Sequence, residues 1–261
     1  MIGIIGCGNM GKAILSGVKR ACKGEKVSVY DKDRRKLQQA IQRYKAEKAA
    51  SLDSLISKAR ILLIAVKPQD IGPVLEALKK DYRNKLIISI AAGITTSYIE
   101  RYTGKGVRVV RVMPNLPAKV SSAVSGLSKG KNALKSDVVK AKKIFNALGQ
   151  TIEISEKYID ALTAVSGSGP GYIYYFIYCL QEAARGLGFS KREAKRLAVA
   201  TFKGAAKLLS EKDDLLGLVS KVSSKGGTTE AALNELKRKR FKATVKLAVR
   251  KAKEKANKLS K

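Results

Sequence analysis

Ile2-Gly3-Ile4-Ile5-Gly6-Cys7-Gly8-Asn9-Met10-Gly11-Lys12-Ala13-Ile14-Leu15 is the stretch that decides the fold. An apolar β-branched run ends in glycines at G-x-G-x-x-G spacing, and a helical pattern opens directly behind them. The spacing has a physical reason at each position. Gly6 permits a tight turn, Gly8 lets a pyrophosphate approach the backbone, and Gly11 lets the helix pack close to the strand. The free N–H groups of the helix start then hold phosphate oxygens. Gly6, Gly8, Asn9, Met10 and Gly11 are therefore the expected phosphate-binding residues of a dinucleotide site.

Beyond this loop, strand and helix patterns alternate. Lys26–Tyr30 reads as a strand and Asp33 to about Ala46 as a charged helix. Leu52–Lys58 and Ile71–Lys80 read as helices around the apolar strand Ile61–Val66. Further strands are predicted at Leu86–Ile90 and Val107–Val112, with weaker ones near Ala123–Leu127 and Thr151–Ile154. Continuous apolar strands separated by helices imply a mostly parallel sheet covered on both faces. Past about Ser155 the strand signal stops, and helices are predicted at Gly169–Leu187, Lys191–Leu209, Thr228–Lys239 and Phe241–Leu259. The expected organisation is α/β: a Rossmann-type doubly wound sheet over residues 1–155, then an all-α substrate and dimerisation domain over 156–261.

Composition narrows the chemistry. Of 261 residues 45% are hydrophobic, which suits a packed core. The chain opens on a strand with no basic leader, which reads against a signal peptide. Its longest apolar stretch, around Tyr172–Leu180, is too short to span a bilayer. Three scattered cysteines point to reduced thiols and a cytoplasmic protein, with no metal cluster. There is no histidine at all, which excludes a His-assisted triad, a His-held metal and an imidazole acid. A His-dependent hydroxy-acid dehydrogenase is excluded with them. The net charge of +32 attracts anionic small molecules, and nucleic acid equally.

Asp31 stands twenty residues after Gly11, at the end of the second strand, where an acid can accept from an adenosine ribose. Lys32, Arg34 and Arg35 follow at once, and such cations can hold a 2′-phosphate. NAD(H) and NADP(H) both remain open on this reading. Val66-Lys67-Pro68, Ala91-Ala92-Gly93 and Met113-Pro114-Asn115 all follow predicted strand ends, on the edge where open α/β sheets bind ligands.

Taken together, Ile5–Ala13, Ala65–Pro68, Ser89–Gly93, Met113–Asn115, Val165–Pro170 and Ser223–Thr229, which span the chain nearly end to end, resemble the pyrroline-5-carboxylate reductase family. The resemblance implies NAD(P)H-dependent reduction of a cyclic imine carrying a carboxylate, giving proline. A protonated C=N already carries its proton, so this chemistry suits a chain without histidine. Thr229 would bond the ring nitrogen as the catalytic residue, with Ser224, Gly226, Gly227 and Thr228 cradling the carboxylate. Ser166 would lie near the nicotinamide. The apolar stripe Tyr172, Ile173, Phe176, Ile177 and Leu180 is expected to be buried, within the chain or in a homodimer or larger homo-oligomer up to a decamer.

Three features depart from the family pattern: Lys225 stands in place of proline, Tyr178 in place of an acid, and Val219-Ser220 before the substrate loop. Related imine reductases and β-hydroxyacid dehydrogenases share the layout, but the latter use a lysine where this chain has Gly171–Phe176. A nucleic-acid-binding role, argued from the basic tail from Lys237 onward, lacks an aromatic recognition motif; such binding is expected to be nonspecific.

Overall fold

The computed structural model describes residues 1–104, 106–210 and 213–260. Two compact units divide the chain: Met1–Ser168 with Ala252–Lys261, and Gly169–Lys251. The first unit thus runs past residue 155 to Ser168 and takes in the C-terminal stretch.

In the first unit, strands β1 (Ile2–Ile5), β2 (Val27–Tyr30), β3 (Glu47–Lys48), β4 (Ile61–Ile64), β5 (Leu86–Ser89), β6 (Arg108–Met113), β7 (Ala123–Lys129) and β8 (Gly149–Glu153) form one sheet. Their order is β3-β2-β1-β4-β5-β6-β7-β8. Every pairing is parallel except β6 with β7. The two strands read only weakly in the sequence, β7 and β8, close one edge, and the two-residue β3, which the sequence pattern did not reveal, closes the other.

Helices α1 (Asn9–Ala21), α2 (Arg34–Tyr44), α3 (Leu52–Lys58), α4 (Ile71–Lys80), α5 (Thr96–Thr103), α6 (Lys135–Asn146) and the single turn α7 (Ile159–Leu162) complete the unit. Strand residues alternate between two cores. Ile2, Ile4, Leu63 and Ile88 pack with α1, α2 and α6, while Ile5, Leu62, Ile64 and Ile87 pack with α3, α4 and α5. Both faces of the sheet are covered, which is why its strands read as unbroken apolar runs.

Side-chain caps set several helix starts. Asp33 accepts from the N–H groups of Arg35 and Lys36 at α2, Ser51 from Ser54 at α3, and Thr95 from Tyr98 at α5. Helices α5 and α6 carry no clear sequence signal. Four lysines in the twelve residues of α6 blur its apolar stripe, and its start is fixed by Asp137 accepting from the Leu134 N–H.

The second unit holds α8 (Gly169–Gly186), α9 (Lys191–Leu208), α10 (Leu215–Val222), α11 (Thr228–Arg238) and most of α12 (Phe241–Leu259). Ser190 and Glu193 close a reciprocal capping box at α9, as their spacing predicts. Short α10, which carries Gly217 in its first turn and is capped by Asp214, is another helix the sequence pattern did not reveal. Of the two coverings expected for the apolar stripe of α8, the chain's own core does not supply one. Tyr172, Ile173, Phe176 and Leu180 are each more than a third exposed in the single chain.

Candidate active site

The chain leaves β1 toward β2 and β3, then returns on the other side of β1 to lay down β4. Loops diverge at such a switch point and leave a crevice at the carboxyl ends of the strands. A cleft of about 370 Å³ lies there, lined by Gly6, Gly8, Asp31, Lys32, Val66 and Lys67 among others.

Each glycine of the loop has its own reason. Gly6 has φ +101°, and a Cβ there would sit 2.5 Å from the Ala65 carbonyl oxygen. A Cβ on Gly11 would strike the Gly6 carbonyl oxygen, so the helix can approach the turn only without a side chain. Gly8 has no protein atom within 4 Å of its Cβ direction, and no side chain caps α1 behind it. An open approach to uncapped N–H groups is what a pyrophosphate needs, so these residues fit a dinucleotide.

Asp31 braces the same loop. Its carboxylate accepts from the Cys7 N–H at 2.6 Å and the Asp33 N–H at 2.8 Å, so two of its acceptor positions are already in use. The Cys7 thiol is buried; burial first, and Asp31 second, push it up to about 12, with Lys12 pulling the other way. Lys32 pairs with Asp70 across the cleft at 2.6 Å. Arg34, in the first turn of α2, is exposed. Asp70 is a part of this rim that sequence reasoning missed, because nothing local marks an acid 38 residues from its partner.

Along the same edge, Val66 and Lys67 enter the cleft lining and Pro68 opens a tight turn, Pro68–Asp70. Of the next triplet, Ala91 is buried and Ala92 is exposed. Gly93 has φ +73°, and a Cβ there would strike the Leu259 carbonyl oxygen, which gives this glycine a packing reason of its own. Asn115 is buried and fully engaged. Its amide donates to the carbonyl and hydroxyl oxygens of Ser166 and its oxygen accepts from the Val124 N–H. Ser166 itself sits in a π-helical turn, Thr163–Gly167. Such turns are rare and are often found at functional sites.

In the helical unit, Ser223–Gly227 leads into α11. The Gly227 N–H donates to the Ser224 carbonyl at 3.0 Å, and the Gly226 N–H to the Glu230 carboxylate at 2.7 Å. Gly226 holds φ +74°. No side chain caps α11, which leaves the N–H groups of Thr228 and Thr229 at its start for an incoming acceptor. Glu230 was not singled out from the sequence.

A glycine-loop crevice at the switch point of a mostly parallel sheet, joined to an all-helical unit, defines a dinucleotide-dependent oxidoreductase. Residues 156–259 match the family model described as pyrroline-5-carboxylate reductase dimerisation, and residues 1–93 match that of NADP oxidoreductase, coenzyme F420-dependent. The pyrroline-5-carboxylate reductase of Methanosarcina acetivorans is 37% identical over 268 residues, covering 100% of this chain and 98% of that protein. A solved pyrroline-5-carboxylate reductase from Coxiella burnetii superposes with TM-score 0.92 at 34% identity, covering 100% and 98% of the two chains. The NADP-bound pyrroline carboxylate reductase of Plasmodium falciparum does so with TM-score 0.87 at 32% identity, again covering 100% and 98%. The chain belongs to the pyrroline-5-carboxylate reductase family.

Among the described residues, no helix is long and apolar enough to cross a membrane.

Proposed function

We propose that this chain reduces 1-pyrroline-5-carboxylate to proline in the cytoplasm, with NADPH as the preferred donor. The carrying observation is the pair of uncapped helix starts, α1 behind Gly8 and α11 behind Gly227: one suits a pyrophosphate and the other a substrate carboxylate. Exposed Arg34 supplies a cation for a 2′-phosphate, with Lys32, held at the rim by Asp70, beside it, and the acceptor positions of Asp31 that brace the Cys7 and Asp33 N–H groups are withdrawn from a ribose. The NADP held by the Plasmodium falciparum relative favours the same donor.

The bound nicotinamide supplies a hydride, and the residues of the chain position and orient. Thr228 and Thr229 offer N–H groups to the carboxylate, and the Thr229 hydroxyl fixes the ring nitrogen. Ser224 completes the cradle. The carbon of the protonated C=N accepts the hydride and nitrogen keeps its proton, so no general acid is required and the absence of histidine is no obstacle. The exposed stripe of α8 and the dimerisation match over 156–259 support a homodimer as the working form, with residues 156–261 as its substrate and dimerisation domain.

Purified protein with 1-pyrroline-5-carboxylate should form proline, and kcat/KM should be at least several-fold higher with NADPH than with NADH. Inertness with both cofactors would reject the reading. Thr229→Ala should lower kcat/KM by roughly tenfold or more while NADPH affinity, read by fluorescence, stays near that of wild type.

A further inference from the structure

The turn that precedes α11 is built from two hydrogen bonds of different kinds. One is local: the Gly227 N–H donates to the Ser224 carbonyl at 3.0 Å, and this bond closes the turn through main chain alone. The other comes from a side chain. The Glu230 carboxylate, on the first turn of α11, reaches back and accepts from the Gly226 N–H at 2.7 Å. Glu at this position ordinarily bonds the N-cap N–H. Here the N-cap is Gly227, whose N–H is already committed, so the carboxylate grips the residue before it.

That grip falls on a loop residue that packing does not hold. Gly226 sits at φ +74°, has no protein atom within 4 Å of its Cβ direction, and is exposed. Packing therefore does nothing to hold it, and a glycine samples positive and negative φ about equally. If Gly226 leaves this conformation, the N–H groups of Thr228 and Thr229 and the hydroxyl of Ser224 lose their fixed relation to one another.

We propose that Glu230 is a positioning residue for substrate: it pins Gly226 and so holds the carboxylate cradle in shape, setting the affinity for the acidic imine. The inference rests on the functional reading given above. Glu230 acts through Gly226 and need not touch the substrate. Its charge is not the operative property, since an acceptor oxygen at the same reach suffices.

The test is steady-state kinetics of three variants of the full-length protein with 1-pyrroline-5-carboxylate and NADPH. Glu230→Ala removes the acceptor and should raise KM for the imine about tenfold, with kcat within about twofold and KM for NADPH unchanged. Glu230→Asp, one methylene too short, should behave like the alanine variant; it keeps the acid at the helix start and so guards against loss of the fold. Glu230→Gln retains an acceptor oxygen and should restore KM to within about twofold of wild type. An imine KM that stays near wild type in the alanine and aspartate variants overturns the proposal. So does a glutamine variant as impaired as alanine, because charge would then be what matters. A wild-type protein that does not reduce the imine at all would reject the functional reading instead.

Discussion

The side-chain amide of Asn115 donates to both oxygens of Ser166, at 3.1 Å to the carbonyl and 3.0 Å to the hydroxyl, while its own oxygen accepts from the Val124 N–H at 3.0 Å. One buried side chain thus ties the end of β6 to the π-helical turn and to β7. Asn115 therefore shapes the edge on which Ser166 stands. Asn115→Ala strands the Val124 N–H and takes one donor from each Ser166 oxygen, the hydroxyl keeping its bond to the Val124 carbonyl, and should destabilise by about 2–4 kcal/mol in urea unfolding. Asn115→Asp keeps the acceptor for Val124 but sets a buried carboxylate oxygen against the Ser166 carbonyl, and should be at least as destabilised as the alanine variant. An alanine variant as stable as wild type would refute this account of the residue.

Gly8 and Gly11 make opposite demands on an added methyl group. At Gly8 the space is open and φ is −68°, so Gly8→Ala should fold with a thermal midpoint close to that of wild type. The methyl group would then stand where a pyrophosphate must approach, and NADPH affinity should drop by about tenfold or more. At Gly11 the methyl group meets the Gly6 carbonyl, which belongs to rigid backbone. Gly11→Ala should lower the thermal midpoint as well as the affinity. Differential scanning calorimetry and nucleotide titration together separate the two. Equal losses of stability in both variants would contradict the assignment.

These glycines show what the sequence could and could not disclose. Gly6, Gly8 and Gly11 were legible because each answers a local steric demand that recurs wherever a strand turns into a phosphate-binding helix. The unbroken apolar runs of β1, β4 and β5 were legible because both faces of the sheet are covered. Asp70 opposite Lys32 was not legible, nor was the bond from Asn115 to Ser166, since each depends on a partner brought in by the fold from 38 or 51 residues away. Helix α5 was hidden for a related reason: Thr96 bonds the Glu156 carboxylate through both its N–H and its hydroxyl, a support that no window of local sequence contains. The stripe on α8 was legible as an apolar face, but periodicity does not say what covers such a face.

The Cys7 thiol links stability to pH. Its ordinary value of 9.0 is pushed up to about 12 in the folded chain. Between those limits the unfolded thiol releases its proton while the folded one retains it, so the unfolded state binds fewer protons and stability falls as pH rises. The contribution is intact below about pH 9 and is lost progressively above it. Between about pH 8 and about pH 10.5, wild type should lose about 1–2 kcal/mol more in urea unfolding than Cys7→Ala, which has nothing to ionise there. Identical pH slopes for the two proteins would show that the thiol is not the titrating group.

Arg111 is the buried cation on which the far end of the sheet is assembled. It is 3% exposed, with one guanidinium nitrogen 3.2 Å from Glu156 and the other 3.7 Å from Asp160. Glu156 also takes both donors of Thr96, and Asp160 accepts from the Ser260 hydroxyl at 3.0 Å. Both acids pair with this arginine, so removing it takes a shared cation from two neighbouring carboxylates. Arg111→Met should therefore destabilise by about 3–5 kcal/mol. The penalty belongs to the stranded charges more than to a lost attraction, so neutralising them should relieve it. The triple variant Arg111→Met, Glu156→Gln, Asp160→Asn should recover most of the loss, because the new amide oxygen at position 156 can still accept from the Thr96 hydroxyl. Urea unfolding of wild type, the single variant and the triple variant at about pH 7 reads the difference directly. A triple variant no more stable than the single one would show that Arg111 holds the edge by attraction, and that repulsion between Glu156 and Asp160 plays no part.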